Sequence, residues 1–208
     1  RQRQMCIRDS YIGDYVSEKL EDITSGRGIS QIKTGDVYPS QEAAVLVGGE
    51  DGAQTRMMCW GFPQSRGKGL LINARAETAM ERPLFRDSIR NRRCVVPASH
   101  FYEWDQSRNK VTFCREDSPV LYMAGFYRLF EDKEHFIIVT TKANDSVSGV
   151  HDRMPLILEQ EELENWLHDD DCLEFLLGRI PAALKKEQEY EQQALPLYRR
   201  DQLWRGYW

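Results

Sequence analysis

The sequence predicts one α+β domain with a β-rich, barrel-like centre and helices at its periphery. Three observations carry that reading. The 208 residues suit a single domain with a substantial core, and 41% hydrophobic against 29% charged residues is the balance of a globular protein. From Ala43 to Leu158 the apolar residues come in short runs bounded by glycine, proline or polar turns, as strands do. Beyond that point they recur at helical spacing.

In chain order, residues 1–10 read as the translation of a sequencing adapter, and the fold is reasoned from Tyr11 onward. Ile12, Val16, Leu20 and Ile23 predict a short amphipathic helix, ended by Gly26 and Gly28. The turn-rich segment 35–39 leads to a buried strand at 43–47, and 57–60 reads as a second strand. Segment 70–78 then runs into a helix along which Arg82, Arg86 and Arg90 share a face. Strands are predicted at 94–104, 110–114, 119–126, 135–141 and 150–158. Leu163, Trp166 and Leu167, then Leu173, Leu176 and Leu177, form apolar helix faces that stop at Gly178 and Pro181. The domain is drawn over 11–191, and 192–208 is a tail with charge and aromatics but no period.

Composition narrows the function. No apolar run is long enough for a membrane span and no secretory signal is evident, so the expected location is cytoplasmic. Five scattered cysteines without a CxxC pair indicate neither a disulfide framework nor a zinc site. A net charge of -5 argues against indiscriminate nucleic-acid binding, so any such contact has to come from a local patch. The arginine stripe is one candidate, and a solvated helix face is the other reading of it.

Three polar residues stand in or beside apolar runs: Asn73, Glu103 and His151. Glu103 lies among Phe101, Tyr102 and Trp104. Partial desolvation by those rings disfavours a charged carboxylate and moves its pKa toward neutrality, where it can exchange protons. The plainer readings are an edge-strand Glu103 with its head in water, an Asn73 that satisfies a strand end, and a core His151. Cys94 or Cys114 with His151 could instead serve a cysteine hydrolase, and periodicity alone brings none of these together.

Three blocks carry a resemblance. They are Leu71-Ile72-Asn73-Ala74-Arg75-Ala76-Glu77-Thr78, Phe101-Tyr102-Glu103-Trp104 and His151-Asp152-Arg153-Met154-Pro155. In order and separation they resemble the SOS-response-associated peptidase (SRAP) family, as do Trp60-Gly61 and Phe136–Thr140. The resemblance implies abasic-site processing in the DNA damage and SOS response: binding of single-stranded DNA and covalent linkage to an abasic site. It also implies a self-processing peptidase or lyase-like activity, a monomer that is nucleoid-associated when bound to DNA, and no metal or cofactor. By resemblance, Cys6 is the nucleophile, Glu103 handles the protons of ring opening and closure, Asn73 hydrogen-bonds at the reacting end, and His151 moves protons on the sugar. Arg75 and Arg153 are expected to hold phosphates, with Trp60, Pro39 and Thr140 shaping the path of the strand. The family opens Met-Cys-Gly-Arg, whereas here Met5-Cys6-Ile7-Arg8 is followed by one extra residue, and Arg1 to Met5 block the Cys6 amine. The expectation is therefore that adapter sequence replaced the native start and that Cys6 mimics the nucleophile by accident, unless processing after Met5 or initiation there exposes Cys6. A non-covalent single-stranded DNA-binding module is the remaining alternative.

Overall fold

The computed structural model describes residues 9–26, 32, 34–64 and 69–188. Cys6 and the tail 192–208 lie outside the described residues. The chain runs β1 (Asp9–Ile12), α1 (Asp14–Thr24), β2 (Gly35–Val37), β3 (Glu42–Gly49), β4 (Gly52–Trp60), β5 (Phe62–Pro63), β6 (Leu70–Leu71) and β7 (Asn73–Arg75). Then come α2 (Ala76–Ala79), α3 (Pro83–Asn91), β8 (Arg93–Ala98), β9 (His100–Trp104), β10 (Lys110–Cys114), β11 (Leu121–Phe130) and β12 (Lys133–Lys142). β13 (Arg153–Pro155), β14 (Ile157–Leu158), a 3-10 turn (Gln160–Glu162), α4 (Leu163–His168), α5 (Leu173–Leu177) and β15 (Lys185–Gln188) complete it.

Five strands close on themselves in the order β12-β4-β3-β8-β11 and back to β12. All of these pairings are antiparallel except β12 with β4. The expected barrel-like α+β domain is thus present. Closure removes sheet edges and lets the strands bury both faces, which is why β8 is buried at every position and reads as a continuous apolar run. Gly125 sits where β11 is squeezed between its neighbours: a Cβ there would stand 2.8 Å from the Ile137 carbonyl oxygen and 3.1 Å from Cys94 Sγ. A second sheet, β15-β10-β9-β1-β2, lies against the barrel strands.

Helices α3 and α4 cover the barrel. Pro83 opens α3, whose Phe85 and Ile89 are buried while Arg86 and Arg90 stay exposed; Arg82, expected on the same helix, is the exposed extended residue just before it. Trp166 of α4 is fully buried and donates from Nε1 to the Cys94 carbonyl at 2.9 Å. Arg93, also buried, ties α3 to α4 through the Arg90 and Trp166 carbonyls and Asp170.

Three predicted elements are corrected. Ile12 is not in the first helix but ends β1, and the helix starts two residues later. Its side chain is buried on the same core as Val16 and Leu20, so a strand residue happened to complete a helical spacing. The run 94–104 is two strands that belong to different sheets, broken at Ser99, whose Oγ accepts the Gly13 N–H at 3.2 Å. The run 150–158 likewise divides: β13 pairs with β12 and β14 pairs with β11, and His151 precedes both in a loop.

Candidate nucleic-acid and reaction site

β12 runs past the barrel mouth, and its far half carries a strand on each edge. β7 pairs parallel with it, Asn73 against Ile138 and Arg75 against Thr140. β13 pairs antiparallel on the other edge, Pro155 against Thr140 and Arg153 against Lys142. Two of the three sequence blocks are thereby fastened to one strand. Beside them opens a cavity of about 910 Å³, lined by Asn73, Arg75, Thr140, His151 and Arg153, with Arg82 just before α3 and Phe85 within it, Trp104 and Gln106 at the end of β9, and the loop 148–152.

Each side chain has a local reason for its place. The loop before β13 is held by backbone bonds: Ala143 donates to the Asp152 carbonyl, and Val150 and His151 both donate to that of buried Val147. His151 is turned by its own neighbour, because the Arg153 backbone N–H donates to Nδ1 at 3.0 Å. With Nδ1 accepting that bond, the neutral ring carries its proton on Nε2; with Nδ1 donating instead to the Arg153 carbonyl, 3.2 Å away, it carries the proton on Nδ1. The Arg153 guanidinium grips Glu77 at two points, 2.6 and 2.8 Å, and donates to the Thr140 carbonyl at 2.6 Å. These bonds from Arg153 hold the Glu77 carboxyl below the usual carboxylate range. Arg75 is exposed on the cavity wall and makes no ion pair among the described residues, so its charge faces solvent.

The cavity therefore brings Asn73, Arg75, Thr140, His151 and Arg153 together. Glu103 is one residue from the wall: Trp104 lines the cavity, while Glu103 lies on the opposite, inward face of β9 with Phe101 and is 2% exposed. Pro39 stands in the turn that links β2 to β3, where Ser40 N–H donates to the Trp60 carbonyl, and it is not among the lining residues. Thr140 is buried with its hydroxyl directed to the Ala74 carbonyl at 3.4 Å, so it shapes the wall from behind.

Trp60 is a correction. It was expected to flank the DNA path, but it is 1% exposed, stacked on Phe136, and donates from Nε1 to the Ile72 carbonyl at 3.1 Å. It acts on the site by anchoring the residue before Asn73. Trp104, Arg82 and Glu77 were not singled out from the sequence, although Arg82 stood in the stripe and the other two lay inside the quoted blocks.

The four described cysteines do not line the cavity. Burial pushes the thiols of Cys59, Cys94 and Cys114 up, Cys94 furthest, and a bond to Asp169 does the same for Cys172. None carries the low thiol pKa that a cysteine hydrolase uses. Among the described residues no group of three metal-ligating side chains occurs, and no helix is long and apolar enough to cross a membrane.

Comparison with known proteins finds relatives over most of the chain. The abasic site processing protein YoqW of Bacillus subtilis is 34% identical over 162 residues, which cover 68% of this chain and 71% of YoqW. The abasic site processing protein YedK of Escherichia coli is 27% identical over 167 residues, 76% of this chain and 75% of YedK. A crystal structure of a Bordetella bronchiseptica protein shares the fold with a TM-score of 0.74 at 20% identity, covering 88% of this chain and 99% of that one. A family model described as SOS response associated peptidase (SRAP) matches residues 5–193, a span that takes in all three blocks, the cavity they build and the Met5-Cys6 pair. With a cavity assembled from those blocks and relatives over most of its length, the chain belongs to the SRAP family.

Proposed function

We propose that this protein binds single-stranded DNA and joins covalently to abasic sites through Cys6, once Cys6 is the first residue of the chain. The observation that carries this is the cavity in which Asn73, Arg75, His151 and Arg153 converge from distant segments. Relatives named abasic site processing proteins support the substrate. Two further observations support Cys6. The other four of the five cysteines have raised thiol pKa values and lie off the cavity. The described chain begins at Asp9, which pairs with Tyr102, the neighbour of Glu103.

The chemistry follows from one residue that bears both an amine and a thiol. The amine attacks the open-chain aldehyde of the abasic sugar, water leaves, and an imine forms. The thiol sulfur then adds to the imine carbon, and its proton ends on nitrogen, closing a five-membered thiazolidine. The family resemblance assigns the protons of these steps to Glu103, which β9 sets off the cavity lining behind Trp104, while Asn73 orients the reacting end by hydrogen bonds and His151 exchanges a proton on the sugar from Nε2. Arg75 holds phosphate. Removal of the residues before Cys6 is the peptidase-like step the chain needs in order to free its amine.

The test is a denaturing gel of abasic single-stranded DNA incubated with protein that begins at Cys6. A band that survives denaturation is expected, and C6A should lose it. A complex seen on a native gel but never on a denaturing one would replace the covalent reading with a non-covalent binding module.

A further inference from the structure

The charge on Arg153 is already taken. Its guanidinium is largely buried, with 14% of the side chain exposed, and its Nη atoms are committed to Glu77 and the Thr140 carbonyl. A group so engaged is a poor first contact for a phosphate, but it is well suited to holding its own backbone still. That backbone matters, because the Arg153 N–H is the donor that reaches His151 Nδ1.

We propose that Glu77 is a positioning residue of the site: its two-point grip on the Arg153 guanidinium fixes the Arg153 peptide against His151 Nδ1, and so keeps the proton of the neutral imidazole on Nε2. This rests on the reading that His151 moves protons at the sugar. Planar, bidentate arginine–carboxylate pairing restrains orientation as well as distance, which a single-point contact does not do. Thr140 completes the frame, since its carbonyl accepts from Arg153 while its backbone pairs with Pro155 on β13 and Arg75 on β7.

The Arg153 carbonyl, at 3.2 Å, is one competitor for Nδ1. The exposed Asp152 carboxylate is another, 3.3 Å away, a geometry that favours a proton on Nδ1. The charged groups around the ring are then Asp152 and Arg153 on its own segment, Arg75 from β7 and Arg82 from the approach to α3 across the cavity, with Glu77 acting through Arg153. Glu77 thus biases a choice among three partners of one nitrogen: the Arg153 N–H, which requires Nδ1 bare, and the Arg153 carbonyl and Asp152, which require it protonated.

The experiment uses E77Q and R153K, each with its imidazoles labelled with 15N, in the absence of DNA. Wild-type His151 should show the pattern of a bare Nδ1 and protonated Nε2. Both variants should move it toward a protonated Nδ1. In the covalent assay E77Q should slow adduct formation by about tenfold to a hundredfold, the usual scale for losing a group that orients a reacting one. Its affinity for undamaged single-stranded DNA should stay within about twofold, because binding is not what Glu77 serves. An unchanged 15N pattern overturns the proposal, and so does a loss confined to DNA affinity. Tighter DNA binding with undiminished linkage would make Glu77 a phosphate competitor and overturn it as well. Because the 15N measurement needs no abasic DNA, failure of wild-type linkage would sink the proposed function without touching the tautomer result.

Discussion

At the residue scale, Trp60 and Glu77 show how much of this site is built from behind. An aromatic residue before a glycine loop reads equally well as a stacking wall or as core, and the structure decides for core by burying the ring and giving its N–H the Ile72 carbonyl. That carbonyl also accepts from Ile138, so it is not orphaned when the indole is removed. W60F should therefore cost about 1–2 kcal/mol, one neutral hydrogen bond plus the lost packing volume, measured by urea denaturation. Its affinity for single-stranded DNA should stay within about twofold of wild type. A stable W60F protein with weakened DNA binding would restore Trp60 to the binding surface. The next residue, Gly61, explains why the ring can turn inward. Its φ of +110° is a conformation that side chains other than hydrogen rarely adopt, and a Cβ there would meet Leu70 at 3.1 Å.

At the element scale, the parts legible in the sequence are those whose period is local. The strand at 43–47 was visible as an unbroken apolar run, the strand at 110–114 because burial alternates, and the leucine faces of α4 and α5 because burial recurs helically. The breaks at Ser99 and Leu156 were invisible for the opposite reason. Apolar buried residues stand on both sides, Ala98 and Phe101 at the first break and Pro155 and Ile157 at the second, and the change is one of partner strand, which only the closed barrel dictates. Asn73 and His151 could be named from their blocks, but the cavity that joins them depends on β7 and β13 docking on opposite edges of β12, a pairing no local pattern encodes. Glu77 was hidden because its meaning is its bond to Arg153, 76 residues away. Closure makes a firm demand on β11. G125A places a methyl carbon against the Ile137 carbonyl on one side and Cys94 on the other, with backbone on β12 unable to yield cheaply. It should destabilise the fold by about 1–3 kcal/mol, the scale of an overpacked core. A thermal midpoint equal to wild type would mean that the barrel is looser at this seam than its packing implies.

At the scale of the whole molecule, a chain of net charge -5 has to attract a polyanion through a small part of its surface. The arginines around the cavity divide the work. Arg153 is paired to Glu77, while Arg75 and Arg82 are exposed on the lining and free of ion pairs among the described residues. Arg86 donates to the Met80 and Glu81 carbonyls, so it serves the approach to α3 rather than the cavity. Arg90 shares the exposed face of α3 but lies off the lining. Each phosphate neutralised on a single strand releases counterions and adds about -0.7 to the slope of log affinity against log salt. R75A should thus weaken binding to undamaged single-stranded DNA and make that slope shallower by about 0.7, whereas R90A should leave both unchanged. Equal losses in the two variants would mean that the strand is held by the diffuse charge of the helix stripe and not by the cavity, and the path proposed past Asn73 and His151 would have to be redrawn along α3.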